Sequence, residues 1–426
     1  MTTNPPQVAP PAPGVPSSAA DLQDERLLRD ASLRGAAIAF GRRVRSGDLG
    51  SLPVVIGLVV IWAGFEILSG GIFLQPDNLV NLAVQSAGPG LISVGVVLVL
   101  LLGEIDLSVG SVSGLAASIL GVGLTVLNWP FWAIVLVSLG AGALIGLLYG
   151  TLFTRFGVPS FVVTLAGLLA FEGVQLLILN TSGSINLPSN SFIVEFSASA
   201  YLLPWQAYLL AVLAAGGVLV TDLRRRRRRS KAGLSVPAPS LTYIKAAVIL
   251  IGLLVVAYYL SLDRGTGVSF VFLILAVIVM NFFVTRTRWG RSIYAVGGSV
   301  EAARRAGINT RLVYISVFIL TSCFAVLGGL VSAGNLTAVT LSAGSGDVNL
   351  NAIAAAVIGG TSLFGGRGSV WSALLGVIVI TSIANGLALV NFGGDAPRFI
   401  VTGVVLLLAV IVDSLSRRSR ASHGAA

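Results

Sequence analysis

Runs of apolar residues recur along the chain with short polar breaks between them, and most reach the roughly 20 residues needed to cross the hydrocarbon core of a bilayer. They lie near 53–72, 80–102, 107–127, 131–153, 160–179, 205–221, 246–261, 267–285, 312–333, 351–364, 369–390 and 398–414. The pattern predicts an all-α polytopic membrane protein of about twelve helices. The segment 351–364 is short for a span. Gly359-Gly360 and Gly365-Gly366 bracket its weak end, which predicts a broken or half helix. The longest polar break in the second half of the chain is 290–314, GRSIYAVGGSVEAARRAGINTRLVY, a basic loop between two apolar spans.

Composition agrees with that class. Hydrophobic residues make up 55% of the 426 positions, charged residues only 10%, and the mean hydropathy is +0.93. Cys323 is the only cysteine and His423 the only histidine, which excludes an intramolecular disulfide framework, thiolate or imidazole metal sites and a His-dependent nucleophile relay. The net charge of +10 would suggest nucleic acid in a soluble protein. Here the arginines cluster in loops, as the positive-inside rule requires, so no nucleic-acid partner is expected. With the amino terminus in the cytoplasm, all of the 27 Lys and Arg residues except Arg264 and Arg398 fall on the cytoplasmic side. This fixes a multi-pass orientation with both termini in the cytoplasm.

The ends and turns are polar. Residues 1–20 are too rich in Pro and Ala to pack and read as a disordered tail without the features of a signal peptide. Residues 21–45 read either as an amphipathic surface helix or as a solvated lead-in, so that 1–52 and 415–426 form cytoplasmic tails around a membrane domain at 53–414. Gln75, Pro76, Asp77 and Asn78 mark the first outer turn. The outer loop 180–204 is long enough to receive another protein; its Asn180-Thr181-Ser182 sequon is better explained by chance. The arginine run 224–229 with Lys231 reads as a basic cytoplasmic loop meeting anionic headgroups.

The loop 286–311 carries Arg286, Arg288, Arg291, Arg304, Arg305 and Arg311. Within it, Glu301, Ala302, Ala303 and Arg304 form a short helical pattern. The small Ala302, Ala303 and Ala306 would let a partner approach, and Gly307 can end the turn. The Glu-Ala-Ala sequence followed by Gly307 resembles the loop by which permease subunits of ATP-binding-cassette importers dock onto their ATPase. A Walker A loop needs a lysine after its glycines. The only lysines, Lys231 and Lys245, follow no such loop, so this chain is expected to bind no cofactor and to leave ATP to a partner subunit.

The junction 103–111, GEIDLSVGS, carries Glu104 and Asp106, which are costly in lipid and should face water, an arginine or the helix start at Ser108. Capping and substrate contact both fit; hydrolysis lacks a nucleophile or metal ligand. GEIDLSVGS, together with AIAAAVIGGTSLFGGRGSVWSALLGVIVI at 352–380, resembles the permeases of the ribose, xylose and galactose ATP-driven import family. VPSFVVTLAG at 158–167 leans toward the xylose branch. The resemblance covers about residues 53–414. It implies a core of about ten helices of the second importer type, an ATPase subunit, an extracytoplasmic sugar-binding protein, a second permease copy, and a bacterial plasma-membrane location. The chain departs from that count by a two-helix insertion at 205–261; without it, the Glu301 loop follows the sixth core helix.

Other polar positions are candidates for the pathway. Glu172 and Gln175 share a helical face in the fifth span, and Asn385 lies in the eleventh; each could accept from a sugar hydroxyl or bond a neighbouring helix. Glu66 lies near the outer end of the first span. The glycine run 359–368 lacks the lysine of a phosphate cradle and reads as close helix packing. The segments 110–117 and 368–375 are faintly alike, too short to establish a repeat. The sequence therefore predicts a permease subunit that imports a monosaccharide such as D-xylose and performs no chemistry itself. A branched-chain amino-acid permease, an ion-coupled carrier relaying protons through Glu104, Asp106 or Glu172, and an interaction scaffold are the rivals.

Overall fold

The computed structural model describes residues 52–179, 183–232, 236, 239–392, 396–397, 399–408 and 411. The segments 1–20 and 21–45, the sequon at 180–182, Arg398 and the tail at 415–426 lie outside them.

The described chain is almost entirely helical and forms two compact units. The larger contains α1 (Leu52–Leu68), α2 (Pro76–Leu101), α3 (Val109–Thr125), α4 (Phe131–Phe156) and α5 (Ser160–Leu179). The smaller, Leu203–Tyr259, contains α6 (Pro204–Lys231) and nearly all of α7 (Pro239–Leu260). The larger resumes with α8 (Val268–Arg286), α9 (Arg288–Gly298), α10 (Val300–Arg305), α11 (Thr310–Leu336), α12 (Gly346–Ile358) and α13 (Trp371–Leu389). A last apolar helix, α14, covers Phe399–Leu408. Among the described residues eight helices are long and apolar enough to span a bilayer, and α1, α3, α12 and α14 are shorter apolar helices. Together they account for every apolar run of the sequence.

In the smaller unit, α6 runs through the arginines 224–229 to Lys231, so the expected basic loop is instead the last turns of a helix. Arginine is a good helix former, and cations complement the negative end of the helix dipole. Asp222 of α6 and Lys245 of α7 form an exposed ion pair at 2.8 Å.

The core of the larger unit is α2 against α11. Both are buried along most of their length because small residues let the backbones meet. Gly95 of α2 lies so near α11 that a Cβ there would come within 2.9 Å of the Thr321 carbonyl. The Thr321 hydroxyl in turn donates to the Gly95 carbonyl at 3.0 Å. In lipid this packing replaces the hydrophobic drive that assembles a soluble core.

Two places depart from simple spans. Before α12 the chain is extended: β2 (Ala338–Thr340) pairs antiparallel with β1 (Ser184–Asn186), Val339 opposite Ile185. A turn then leads into α12, which at 13 residues is roughly 20 Å long. It starts before the expected 351 and ends before 364, followed by a turn held by left-handed glycines, among them Gly365 (φ +80°) and Gly366 (φ +70°).

The second departure is the expected basic loop, which is folded as α9 and α10. The Thr287 hydroxyl accepts the Gly290 N–H at 3.1 Å, and the Ser299 hydroxyl accepts that of Ala302 at 3.3 Å, so each short helix has its own cap. Gly307 takes φ +79° just past α10, the left-handed position that a glycine fills at least cost.

Candidate functional site

A cavity of about 640 Å³ opens between α2, α3, α11 and the extended segment before α12. Its walls are rich in hydroxyls: Ser113 of α3, Ser332 of α11, and Thr340, Ser342 and Ser345 of the extended segment. Asp347, in the first turn of α12, also lines it and accepts from the Ser345 hydroxyl at 2.6 Å. Phe399 adds an aromatic ring. Irregular backbone at membrane depth is tolerated only where protein encloses it or a water-filled cavity faces it. The segment 338–345 packs on α3 and α5 on one side and lines the cavity on the other.

Side chains of neighbouring helices hold that wall in place. The Gln175 amide, only 1% exposed, donates to the carbonyls of Ala343 (2.8 Å), Leu341 (3.3 Å) and Thr340 (3.4 Å). It thereby supplies a donor to the Leu341 and Ala343 carbonyls, while the Thr340 carbonyl also accepts the Ala343 N–H at 3.0 Å. The Asn349 carbonyl oxygen accepts the N–H of Gly110, tying the first turn of α12 to that of α3. Gly344, at φ +73°, packs onto the backbone of Gly110 and Gly114 where no Cβ would fit.

None of the sequence-derived pathway candidates lines this cavity. Gln175 supports the wall from behind, and Glu172, three residues earlier on α5, is half-buried away from it. Asn385 is paired with Asn78 through two reciprocal amide hydrogen bonds at 3.0 Å, which join α13 to the start of α2. Glu66 accepts the Leu74 N–H at 2.8 Å and shapes the turn after α1.

GEIDLSVGS packs against the first turns of α5. Glu104 accepts from the Ser160 hydroxyl at 2.5 Å, and the Leu107 N–H donates to Thr164 Oγ1 at 3.1 Å. Asp106 is 1% exposed; one carboxylate oxygen accepts the N–H (2.8 Å) and hydroxyl (2.7 Å) of Ser108. Of the surroundings that sequence allowed for this pair, the helix start is where Asp106 lies. Burial pushes both carboxyls above the usual range, while the Ser160 and Ser108 hydrogen bonds oppose the rise.

About half of the residues that line the cavity come from 338–348, AVTLSAGSGDV, a segment in which the sequence singled out no candidate. Their signal was a run of small hydroxyl residues directly before a span too short to cross.

At the far end of α11 from this segment, α10 presents Glu301, Ala302, Arg304, Arg305 and Ala306 at the surface. Ala303 is turned inward and buried, so the expectation that it meets a partner is corrected: on a helix this short, one face must pack against the bundle. Glu301 and Arg304 face each other at 3.5 Å, both exposed.

The chain matches the family described as "Branched-chain amino acid transport system / permease component" over residues 78–412. It is 36% identical over 378 residues to the xylose transport system permease protein of Escherichia coli K12, covering 88% of this chain and 94% of that protein. The same-named protein of Haemophilus influenzae is 34% identical over 381 residues, 88% and 99% of the two chains. The ribose import permease protein of E. coli K12 is 32% identical over 364 residues, 84% and 92%. No solved structure matches it. Spans, match and identities together make this chain a multi-pass membrane protein that belongs to the branched-chain amino acid transport system / permease component family.

Proposed function

We propose that the chain is the permease subunit of an ATP-binding-cassette importer that carries a monosaccharide, a pentose such as D-xylose, into the cytoplasm. The observation that carries this reading is the identity to xylose permeases across nearly the whole chain. The cavity agrees with a neutral polyol: hydroxyls and carbonyls offer donors and acceptors, and the Phe399 ring offers an apolar face. A zwitterionic amino acid would want a cation for its carboxylate. Among the described lining residues there is no Lys or Arg, and a carboxylate, Asp347, already sits at the start of α12.

In this reading the end of the bundle bearing α9 and α10 faces the cytoplasm. It carries Arg286, Arg288, Arg291, Arg304, Arg305 and Arg311, whereas Arg264 lies at the opposite end, bonded to Asn81 at 2.7 Å and Tyr201 at 2.9 Å. The exposed residues of α10 dock an ATPase subunit, which binds the ATP; an extracytoplasmic binding protein delivers the sugar. The permease pairs with a second copy of itself. No residue here performs chemistry: the partners stabilise inward- and outward-open states differently, and the cavity alternates between them.

The test is uptake of labelled D-xylose, D-ribose and L-leucine in a deletion strain carrying the intact gene or Glu301→Arg, at matched membrane abundance. Xylose uptake should be restored by the intact gene and fall at least about tenfold with the reversed charge. Restored leucine uptake would replace the sugar reading, and xylose uptake indifferent to Glu301 but abolished by an uncoupler would replace the ATP-driven one.

A further inference from the structure

The turn after α12 is stacked between α9 and the end of α2. The Gly366 N–H donates to the Leu101 carbonyl at 2.9 Å, and the Tyr294 hydroxyl of α9 donates to the Gly368 carbonyl at 2.9 Å. Gly297, one turn further along α9, leaves no room for a Cβ between the Leu101 carbonyl and the Gly366 amide. Gly365 in turn lies against the Gly103 amide and the Gly297 carbonyl, each 2.8 Å from where a Cβ would be. At its start α9 is fastened to α11, Trp289 Nε1 donating to the Ser316 hydroxyl at 2.8 Å. Its last residues lead through the cap Ser299 directly into α10.

The other end of α12 is the cavity wall, where Asp347 lines the space and Asn349 is bonded to Gly110. Against α13, the end of α12 and its neighbouring turn make close backbone contacts at glycines. Gly359 lies on the Ser372 carbonyl and Gly376 on the Ala355 carbonyl. Such a contact permits small sliding of one helix along the other, the shear mode of packed helices. A helix of this length moves as a rod.

We infer that α12 is the connecting rod between the α10 surface and the cavity, and that Tyr294 is the positioning residue fastening α9 to the turn at its end. Displacement of α10 shifts α9, the 365–368 turn follows through Tyr294 and the Gly297 contact, and α12 carries the shift to 338–349. This rests on the reading of α10 as the ATPase-docking element. It adds the route by which docking reaches the sugar.

The experiment uses the full chain in lipid nanodiscs with its ATPase subunits and binding protein, and reads amide hydrogen exchange at 338–349 with and without ATP and vanadate. In the unaltered protein, trapping should change exchange there. In Tyr294→Phe, which keeps the ring and loses one hydrogen bond, the change should shrink about fivefold while the ATPase still binds and hydrolyses ATP. A change of the same size in Tyr294→Phe, or none in the unaltered complex, overturns the connecting-rod inference and leaves the docking reading standing. An ATPase that fails to bind the unaltered permease removes the docking reading and this inference together. Trp289→Phe, which loosens α9 from α11 instead, should keep the change at 338–349; its loss there too would show a general effect of disturbing α9 and overturn the role given to Tyr294.

Discussion

The segment 338–358 and helix α7 are stretches of about the same length, and they occupy the protein in opposite ways. In α7 the backbone bonds are made within the helix, and its apolar side chains, Val248, Ile251 and Val255 among them, are exposed along it. It is a span that asks nothing of its neighbours except lipid. In 338–358 a strand, a turn and a half helix replace the span; the strand bonds to β1, and carbonyls of the strand and turn accept from the Gln175 amide. The difference teaches where function can sit. A regular helix is self-sufficient in lipid, whereas irregular backbone must be enclosed, and the enclosure around 338–345 is what makes a cavity lined with hydroxyls.

The contrast can be broken at three sites of decreasing effect. Gly344→Val places a β-branched residue at φ +73° against the backbone of α3. Left-handed strain of about 1–2 kcal/mol and overpacking of about 1–3 kcal/mol should add, so little folded protein survives extraction in mild detergent. Normal yield and uptake would mean the wall is not tightly held. Gln175→Ala leaves wall carbonyls without their donor, a loss of about 1–3 kcal/mol. It should lower the melting temperature and cut uptake severalfold. Lys245→Ala, which opens the exposed Asp222 pair of the smaller unit, should change stability by less than about 1 kcal/mol and leave uptake intact. If Gln175→Ala and Lys245→Ala cost the same, the distinction between the regions fails.

Much of the fold was legible in the sequence because length is what a bilayer demands and apolar runs report it. The half helix, too, announced itself through its glycines and its shortness. Burial was not legible. In a membrane protein the lipid-facing and core-facing sides are both apolar, so the alternation that reveals a soluble core has no contrast. Ala303 thus passed for a surface residue, and Glu172 and Gln175 looked equivalent although only Gln175 is fully buried. The contact that gives Gln175 its role lies 168 residues away along the chain, beyond any local pattern. The arginines 224–229 passed for a loop because charge was weighed above helix propensity. Around GEIDLSVGS the two carboxylates part ways: Asp106 closes on Ser108, two residues away, while Glu104 reaches Ser160 of α5.

A residue of 338–348 on a water-filled path and a residue of α7 against lipid differ in what can reach them. In a Cys323→Ala background, Ser342→Cys and Val255→Cys can be exposed in whole cells to a thiol reagent that reacts only in water. Labelling should be rapid at 342, slowed by D-xylose when the binding protein is present, and absent at 255. An inert thiol at 342 beside a reactive one at 255 would contradict that difference.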